Sequence, residues 1–275
     1  MSEVKLFQDA HYLQQNQYRT SSNLDARAGL HRRFSTAVTA WQPWVFDFLA
    51  VETGRRVLEC GCGPRWLWRE NADRIPANCH ITLTDLSPGM VAEAEAALAG
   101  SGPRFEFRQA NIQALDFATH TFDVVVANHM LYHVPDLPQA LAEVRRVLQG
   151  NGRFVAATNG NKHMSELADL VPDTLRQSVA SLRLRGQGEM LAFRLENGRA
   201  LLEPYFDTIE LHLYDDSLWV TEVEPLVAYA LSMIKPEMDL PETAVNQIRA
   251  AWAARIEKEG GIRISKHSGV FVATK

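Results

Sequence analysis

From about residue 55 the apolar residues fall into short runs that alternate with helical stripes. Val57 and Leu58 make a brief run closed by Glu59, Gly61 and Gly63, which predicts a buried strand and a tight turn. Leu67, Trp68 and Ile75 then predict the inward face of a helix starting near Arg65. Cys79 to Thr84 reads as the next strand, ending in Asp85. Ser87 and Pro88 are N-cap and first-turn residues for a helix with Met90, Val91, Ala94 and Leu98 on one face. Phe105 and Phe107 mark a third strand. Phe122 to Ala127 is an apolar run broken only by Asp123, as a central strand buried on both faces should be. Asp136, with Gln139 three residues later, caps a helix whose stripe is Leu137, Leu141, Val144 and Leu148, ended by Gly150 and Gly152. Gly152 to Thr158 is the fifth strand.

The flanks read differently. Leu24, Arg27, Ala28, His31 and Phe34 recur at helical spacing, with Asn23 as N-cap. Trp41, Trp44, Val45, Phe48 and Leu49 form a second stripe ending at Gly54. Residues 160–205 look helical and mixed. Ile209, Leu211 and Leu213 alternate as a strand, and 222–258 reads as two helices broken at Lys235-Pro236. Ile262 and Ile264 are expected to extend a sheet edge, and Val270 to Ala273 to close the sheet.

A strand, a glycine turn and a helix start are the arrangement expected at the switch point of an open parallel sheet. Asp85, about 20 residues after the turn, suits the two hydroxyls of a ribose. In nicotinamide enzymes the turn cradles a pyrophosphate, and a third glycine falls at the position that is Trp66 here. Glu59 before the turn would repel a pyrophosphate and suits a cationic ligand. A ribose with a positive charge points to S-adenosylmethionine (SAM).

Glu59-Cys-Gly-Cys-Gly-Pro, Leu83-Thr-Asp85-Leu-Ser-Pro-Gly-Met90 and Phe122-Asp-Val-Val-Val-Ala-Asn-His-Met-Leu-Tyr-His133 resemble the successive motifs of class I SAM-dependent methyltransferases, in their bacterial small-molecule group. Weaker similarity runs from Asn197-Gly-Arg to Gly269-Val-Phe-Val-Ala-Thr. The resemblance implies an α/β fold: a Rossmann-like, mostly parallel seven-stranded sheet with helices on both faces, plus a helical N-terminal part and an inserted cap. The expected division is an N-terminal helical lid at 1–50 and a SAM-binding α/β domain at 51–275, with cap insertions at about 160–205 and 215–258. It also implies methyl transfer from SAM to an O, N or C atom of a small molecule, leaving S-adenosylhomocysteine. One residue departs from the family: Arg65 stands where a third glycine is usual. It must point outward or crowd the cofactor mouth. That departure motivates an alternative, a methyltransferase-fold protein that uses SAM structurally or for another reaction.

Composition narrows the partners. The chain has 275 residues, 46% of them hydrophobic, and a net charge of −5. This gives no general attraction to nucleic acid or anionic membrane, and no apolar run reaches the length of a spanning helix. The start, Met-Ser-Glu-Val-Lys, lacks the apolar core of a signal peptide, so a cytoplasmic setting is expected. Cys60, Cys62 and Cys79 read as small buried residues, not zinc ligands, and no metal is expected. The expected partner is a small acceptor, apolar or aromatic, because the flanks are rich in Trp, Phe and Leu. Oligomerisation is left open.

The cofactor is expected to be held by Glu59, Gly61, Cys62, Gly63, Asp85, Leu86, Met90, Asn111, Ile112 and Asn128. Met90 either packs on the adenine or fills the core. Asn111 either accepts from the adenine amine or caps its own turn. Asn128 is expected to offer its backbone carbonyl to the cofactor's amine. Tyr12, Tyr18, Asn23, Arg27, His31 and Tyr132 are candidates for the lid or substrate pocket. His133 is the candidate general base or else a loop brace. His129 stands behind it, because alternation from Asn128 turns it away.

Overall fold

The computed structural model describes residues 22–101, 104–168, 170, 191–232 and 241–275. The apolar runs become five parallel strands: β1 (Arg56–Cys60), β2 (His80–Asp85), β3 (Phe105–Gln109), β4 (Phe122–Asn128) and β5 (Leu148–Asn159). Two antiparallel strands, β6 (Thr208–Tyr214) and β9 (Ser268–Thr274), complete one sheet in the order β3-β2-β1-β4-β5-β9-β6. The chain leaves β1 toward one edge and returns at β4 toward the other, so the switch point lies between β1 and β4.

Both faces of this sheet are covered, which is why the middles of its central strands are largely apolar. Leu58, Val125 and Phe154 pack on one side with Leu141 and Val144 of helix α5 (Leu137–Val147). Val57, Val126 and Val155 pack on the other with Val45 and Leu49 of α2 (Trp41–Leu49) and Ala94 of α4 (Pro88–Leu98). The caps form where their residues predict. Ser87 Oγ accepts the Met90 N–H at 3.4 Å, and Asp136 accepts the Gln139 N–H at 3.0 Å. Leu148 belongs to β5, not to the helix stripe before it.

A third core stands apart from the sheet. It joins Leu30 and Phe34 of α1 (Ser22–Phe34) to Leu218 and Val220 of β7 (Ser217–Val220) and to Ile262 and Ile264 of β8 (Ile262–Ser265). Leu226 of α7 (Val223–Ser232) and Trp252 of α8 (Glu242–Glu259) close it. This corrects the expectation that Ile262 and Ile264 extend the main sheet. They pair with β7 in a separate two-stranded sheet, because their apolar faces are buried against α7 and α8.

The helix expected from Arg65 to Ile75 is also interrupted. It runs only through α3 (Trp66–Arg69), followed by a single 3₁₀ turn at Ala72–Arg74. The buried Asn71 side chain donates to the Leu67 carbonyl at 2.7 Å, taking an acceptor the helix would have used. Asn23 falls inside α1, not at its cap. The break expected at Lys235-Pro236 lies outside the described residues.

Candidate functional site

The C-terminal ends of β1, β2 and β4 open into a cavity of about 830 Å³, roofed by α1, α7 and the turn between β8 and β9. That is within the usual range for a small-molecule site.

The glycine turn forms its floor. Gly61 has φ +71°, and a Cβ there would meet Met130 Cβ at 2.8 Å. Gly63 has φ +47° and leaves open space above it, the nearest side-chain atom being Leu24 Cδ1 at 4.0 Å. Asp85 ties this turn to β2. Its Oδ2 accepts the Gly63 N–H at 3.0 Å and its Oδ1 the Ser87 N–H at 2.8 Å. The Leu86 N–H bonds the carboxylate as well, and its roughly four lone-pair sites still leave capacity for a ligand. Burial raises the Asp85 carboxyl above its ordinary value, opposed by these backbone N–H groups.

Glu59 is 2% exposed and accepts the Trp68 indole N–H at 2.6 Å. Burial pushes its carboxyl up to about 8, the indole N–H opposing and Asp85 adding to the rise. A carboxyl kept neutral by burial, in a cavity wall, is a group that a cationic ligand would ionise. With the open glycine turn and the paired Asp85, it fits the SAM implied by the resemblance.

Cys62, Leu86, Met90 and Ile112 also line the cavity. Met90 is 1% exposed and belongs to both wall and core. Cys60, Cys62 and Cys79 are buried free thiols, and burial pushes Cys60 up to about 12. Asn111 lines the cavity while its Oδ1 accepts from the Gln113 backbone N–H at 3.0 Å, the turn-capping arrangement. Asn128 is held by both ends of its amide. Its oxygen accepts the Trp41 indole N–H at 3.3 Å, and its nitrogen donates to Gln42 at 3.1 Å.

His129 corrects the alternation argument. Its φ is +57°, so the chain leaves the pleat of β4 there and turns the ring into the cavity, 4.9 Å from the Trp41 ring. Burial lowers its pKa to about 4, helped by Lys266. His133 lies on a 3₁₀ turn (Leu131–His133) and also lines the cavity, its ring 4.5 Å from that of Tyr132.

Arg65 takes the outward of its two expected positions. It adopts φ +55°, the left-handed conformation a glycine would take freely, and its guanidinium donates to the Glu93 carbonyl at 3.2 Å. It points away along α4 and does not line the cavity. The obstruction that motivated a reaction other than methyl transfer is absent. Arg65→Gly should therefore raise the melting temperature by about 2–4 °C, reflecting about 1 kcal/mol of relieved backbone strain. A fall in a thermal melt would show that the Glu93 contact outweighs the strain.

Of the lid candidates, Arg27 donates to the Ser232 carbonyl at 2.7 Å and to its hydroxyl at 3.2 Å, joining α1 to α7. His31 and Tyr132 line the cavity. Tyr12 and Tyr18 lie outside the described residues, as does the side chain of Asn23. Sequence reasoning missed His163, Lys266, Tyr214, Tyr229, Ser268 and Asn159, all of which line the cavity. No local spacing marks them. Only the Asn159 position, just past the fifth apolar run, carries a signal that strand ends face the ligand.

Comparisons with known proteins agree with this architecture. Residues 58–156 match the family described as Methyltransferase domain. The chain is 30% identical over 227 residues to a malonyl-[acyl-carrier protein] O-methyltransferase of Enterobacter lignolyticus, covering 80% of this chain and 82% of that one. It is 31% identical over 129 residues to the ubiquinone/menaquinone biosynthesis C-methyltransferase UbiE of Hahella chejuensis, covering 46% and 49%. The chain thus spans about half the length of several curated relatives it matches, 49%, 51% and 54% of three of them. Among solved structures, phosphoethanolamine N-methyltransferase 2 of Haemonchus contortus superposes with a TM-score of 0.60 at 17% identity, covering 98% of this chain and 60% of that one. The [4+2]-cyclase SpnF superposes at 0.59 and 17%, covering 97% and 96%. At these identities the likeness is one of fold.

Proposed function

We propose, from the premise that this chain belongs to the class I SAM-dependent methyltransferases, that it moves a methyl group from SAM to an oxygen, nitrogen or carbon atom of a small-molecule acceptor. The observation that carries this reading is the pairing of the buried Glu59 with the Asp85-braced glycine turn at one end of the cavity. When bound, SAM supplies a methyl group already activated by a positive sulfur.

The chain's own residues then have three tasks. Gly61, Gly63 and Asp85 hold the nucleoside against the strand ends, with Leu86, Met90 and Ile112 around the base. Glu59 releases its proton to solvent and faces the cationic part of the ligand as a carboxylate. The roof of α1, α7 and the β8–β9 turn excludes water and aligns the acceptor. His133 is proposed as the group that takes the acceptor's proton where one must leave, with His129 as the second candidate. Residues 1–50 are proposed as a lid, with cap insertions at about 160–205 and 215–258. Trp41, Tyr132, Tyr214 and Tyr229 give the cavity an aromatic lining that suits an apolar or aromatic acceptor body. No helix among the described residues is long and apolar enough to cross a membrane.

The reading is tested by titrating SAM into the purified protein and then measuring S-adenosylhomocysteine release with panels of small acceptors. Binding with turnover supports it. Binding without turnover on any acceptor favours the structural use of SAM, and no binding overturns both.

Glu59 adds a pH signature. Its folded pKa of about 8 lies above its ordinary carboxylate value, so the folded chain holds a proton that the unfolded chain releases. Stability should therefore fall as pH rises from about 4.5 to about 8, by at most about 1.4 kcal/mol per unit, and level off above. SAM binding must displace that proton below pH 8, so affinity should rise with pH, up to about tenfold per unit. Glu59→Gln should flatten both profiles. Calorimetry and thermal melts at pH 6, 7 and 8 measure them, and a pH-independent wild-type affinity would remove Glu59 from the cation's surroundings.

A further inference from the structure

We infer that the end of the cavity beneath the cap is a subsite for an anionic group of the acceptor, a carboxylate or a phosphate, held by His31, His163 and Lys266. The inference rests on the methyl-transfer reading, whose acceptor it specifies.

Charge is divided along the cavity. Among the described residues the carboxylates that line it are Glu59, Glu70 and Asp85, all around the glycine turn and the ends of β1 and β2. The cap end has cationic and imidazole side chains instead: Arg27 and His31 from α1, His163 after β5, and Lys266 between β8 and β9, while Arg32, also from α1, reaches the acidic end, its guanidinium 6.0 Å from the Trp66 ring. A ligand spanning the cavity therefore meets acids at one end and hydrogen-bond donors at the other.

The donors are available. His163 Nδ1 accepts the His267 backbone N–H at 3.3 Å and lies 3.2 Å from the Ser268 hydroxyl. A neutral His163 that accepts at Nδ1 carries its proton on Nε2. The His31 ring is 6.0 Å from that of His163, centroid to centroid. Its Nδ1 is buried and has no hydrogen-bond partner. Such a buried polar atom is normally satisfied, and this one is left unpaired on a side chain of the cavity wall. Lys266 has a side chain 7% exposed and pairs with the fully buried Asp216 through Oδ2. The other oxygen of Asp216 accepts from the Ser35 hydroxyl at 2.8 Å and from the Thr36 and Ala37 N–H groups at 3.0 Å each. The aspartate is thus shared among several donors, and the ammonium has three N–H bonds to give.

These groups do not make a metal site. No cluster of three or more His, Cys, Asp or Glu side chains among the described residues could hold a metal ion. An anion has the complementary effect on this surrounding. Burial and then Lys266 lower the pKa of His31 and His129, with His129 adding at His31, and at His163 burial is followed by His31, Lys266, His129 and His267. Arg27 from α1, Tyr229 from α7, Tyr214 from β6 and Asp216 before β7 complete the charged and titratable groups around them. An arriving carboxylate or phosphate would stabilise a protonated imidazole, so its binding should take up a proton.

The test is calorimetry with phenylacetate, phenyl phosphate and the neutral phenylacetamide, run on the full chain with and without saturating S-adenosylhomocysteine. Repeating it in two buffers of different ionisation heat counts protons. One acid is expected to bind at least about tenfold more tightly than the amide, with net proton uptake. Which acid binds better separates a carboxylate from a phosphate acceptor. His31→Gln and His163→Asn should each remove most of that preference. Lys266→Met should as well, and because it strands Asp216 its melt is compared with that of Lys266→Arg, which should keep the preference. Equal binding of acid and amide, no binding of either acid, or a preference that survives His31→Gln and His163→Asn would overturn the subsite. Failure of S-adenosylhomocysteine itself to bind would instead sink the methyl-transfer reading, and the titrations without it still decide the subsite.

Discussion

His133→Ala should slow the methyl-transfer step about a hundredfold or more, the usual contribution of a positioned acid or base, while SAM affinity and melting temperature stay close to wild type. The ring lines the cavity at the end of β4, on a short turn fixed by backbone bonds: its own N–H donates to Met130 at 2.9 Å and that of Val134 to Leu131 at 3.1 Å. That turn does not depend on the imidazole for its backbone hydrogen bonds, so the side chain can be removed without dismantling it. His129 is the contrast. Its ring packs at a tilt against Trp41, which in turn bonds Asn128, so His129→Ala should lower stability and acceptor affinity together. Single-turnover rates for both variants, with S-adenosylhomocysteine titrations and melts alongside, separate the two roles. A His133→Ala enzyme that transfers methyl at the wild-type rate would remove His133 from the chemistry.

Asp85→Ala should weaken SAM binding by at least about tenfold, and by over a hundredfold if both its scaffold and ligand roles are lost, corresponding to about 1.5–3 kcal/mol. The carboxylate already holds the glycine turn through Gly63 and the start of α4 through Ser87. Its loss leaves those N–H groups without their acceptor as well as any ribose hydroxyls. The melting temperature should therefore fall too, because the effect is not confined to the ligand. Asp85→Asn keeps one acceptor oxygen and should fall between the two, retaining one of the backbone bonds and losing the charge. Calorimetry with melts of all three proteins measures this. Unchanged affinity in Asp85→Ala would exclude Asp85 from the cofactor site, whatever happens to stability.

The parts that were legible in the sequence are those fixed by local chemistry. Val57-Leu58 and Val124 to Ala127 read as central strands because burial on both faces leaves no polar position in them, the acid beside the second run, Asp123, sitting at the strand's start where it pairs with Arg55. Ser87 and Asp136 announce helix starts because a cap satisfies backbone donors a few residues away. The glycine turn with Glu59 and Asp85 is readable because an acid, a tight turn and a strand-end acid lie in consecutive elements of one β-α-β unit. The tertiary structure alone decided the rest. A left-handed backbone at His129 turns its ring inward, against the alternation, and one at Arg65 accompanies a guanidinium that points out along α4. Ile262 and Ile264 carry the period of a strand, which cannot say which strand they pair with, and the cap core took them. His31, His163 and Lys266 come from three distant parts of the chain, as do Arg27 and Ser232, which lie 205 positions apart. Such convergence leaves no periodicity in the sequence. It exists only because α1 and the β7–β8 pair bury a common apolar face and so bring their polar sides together over the strand ends.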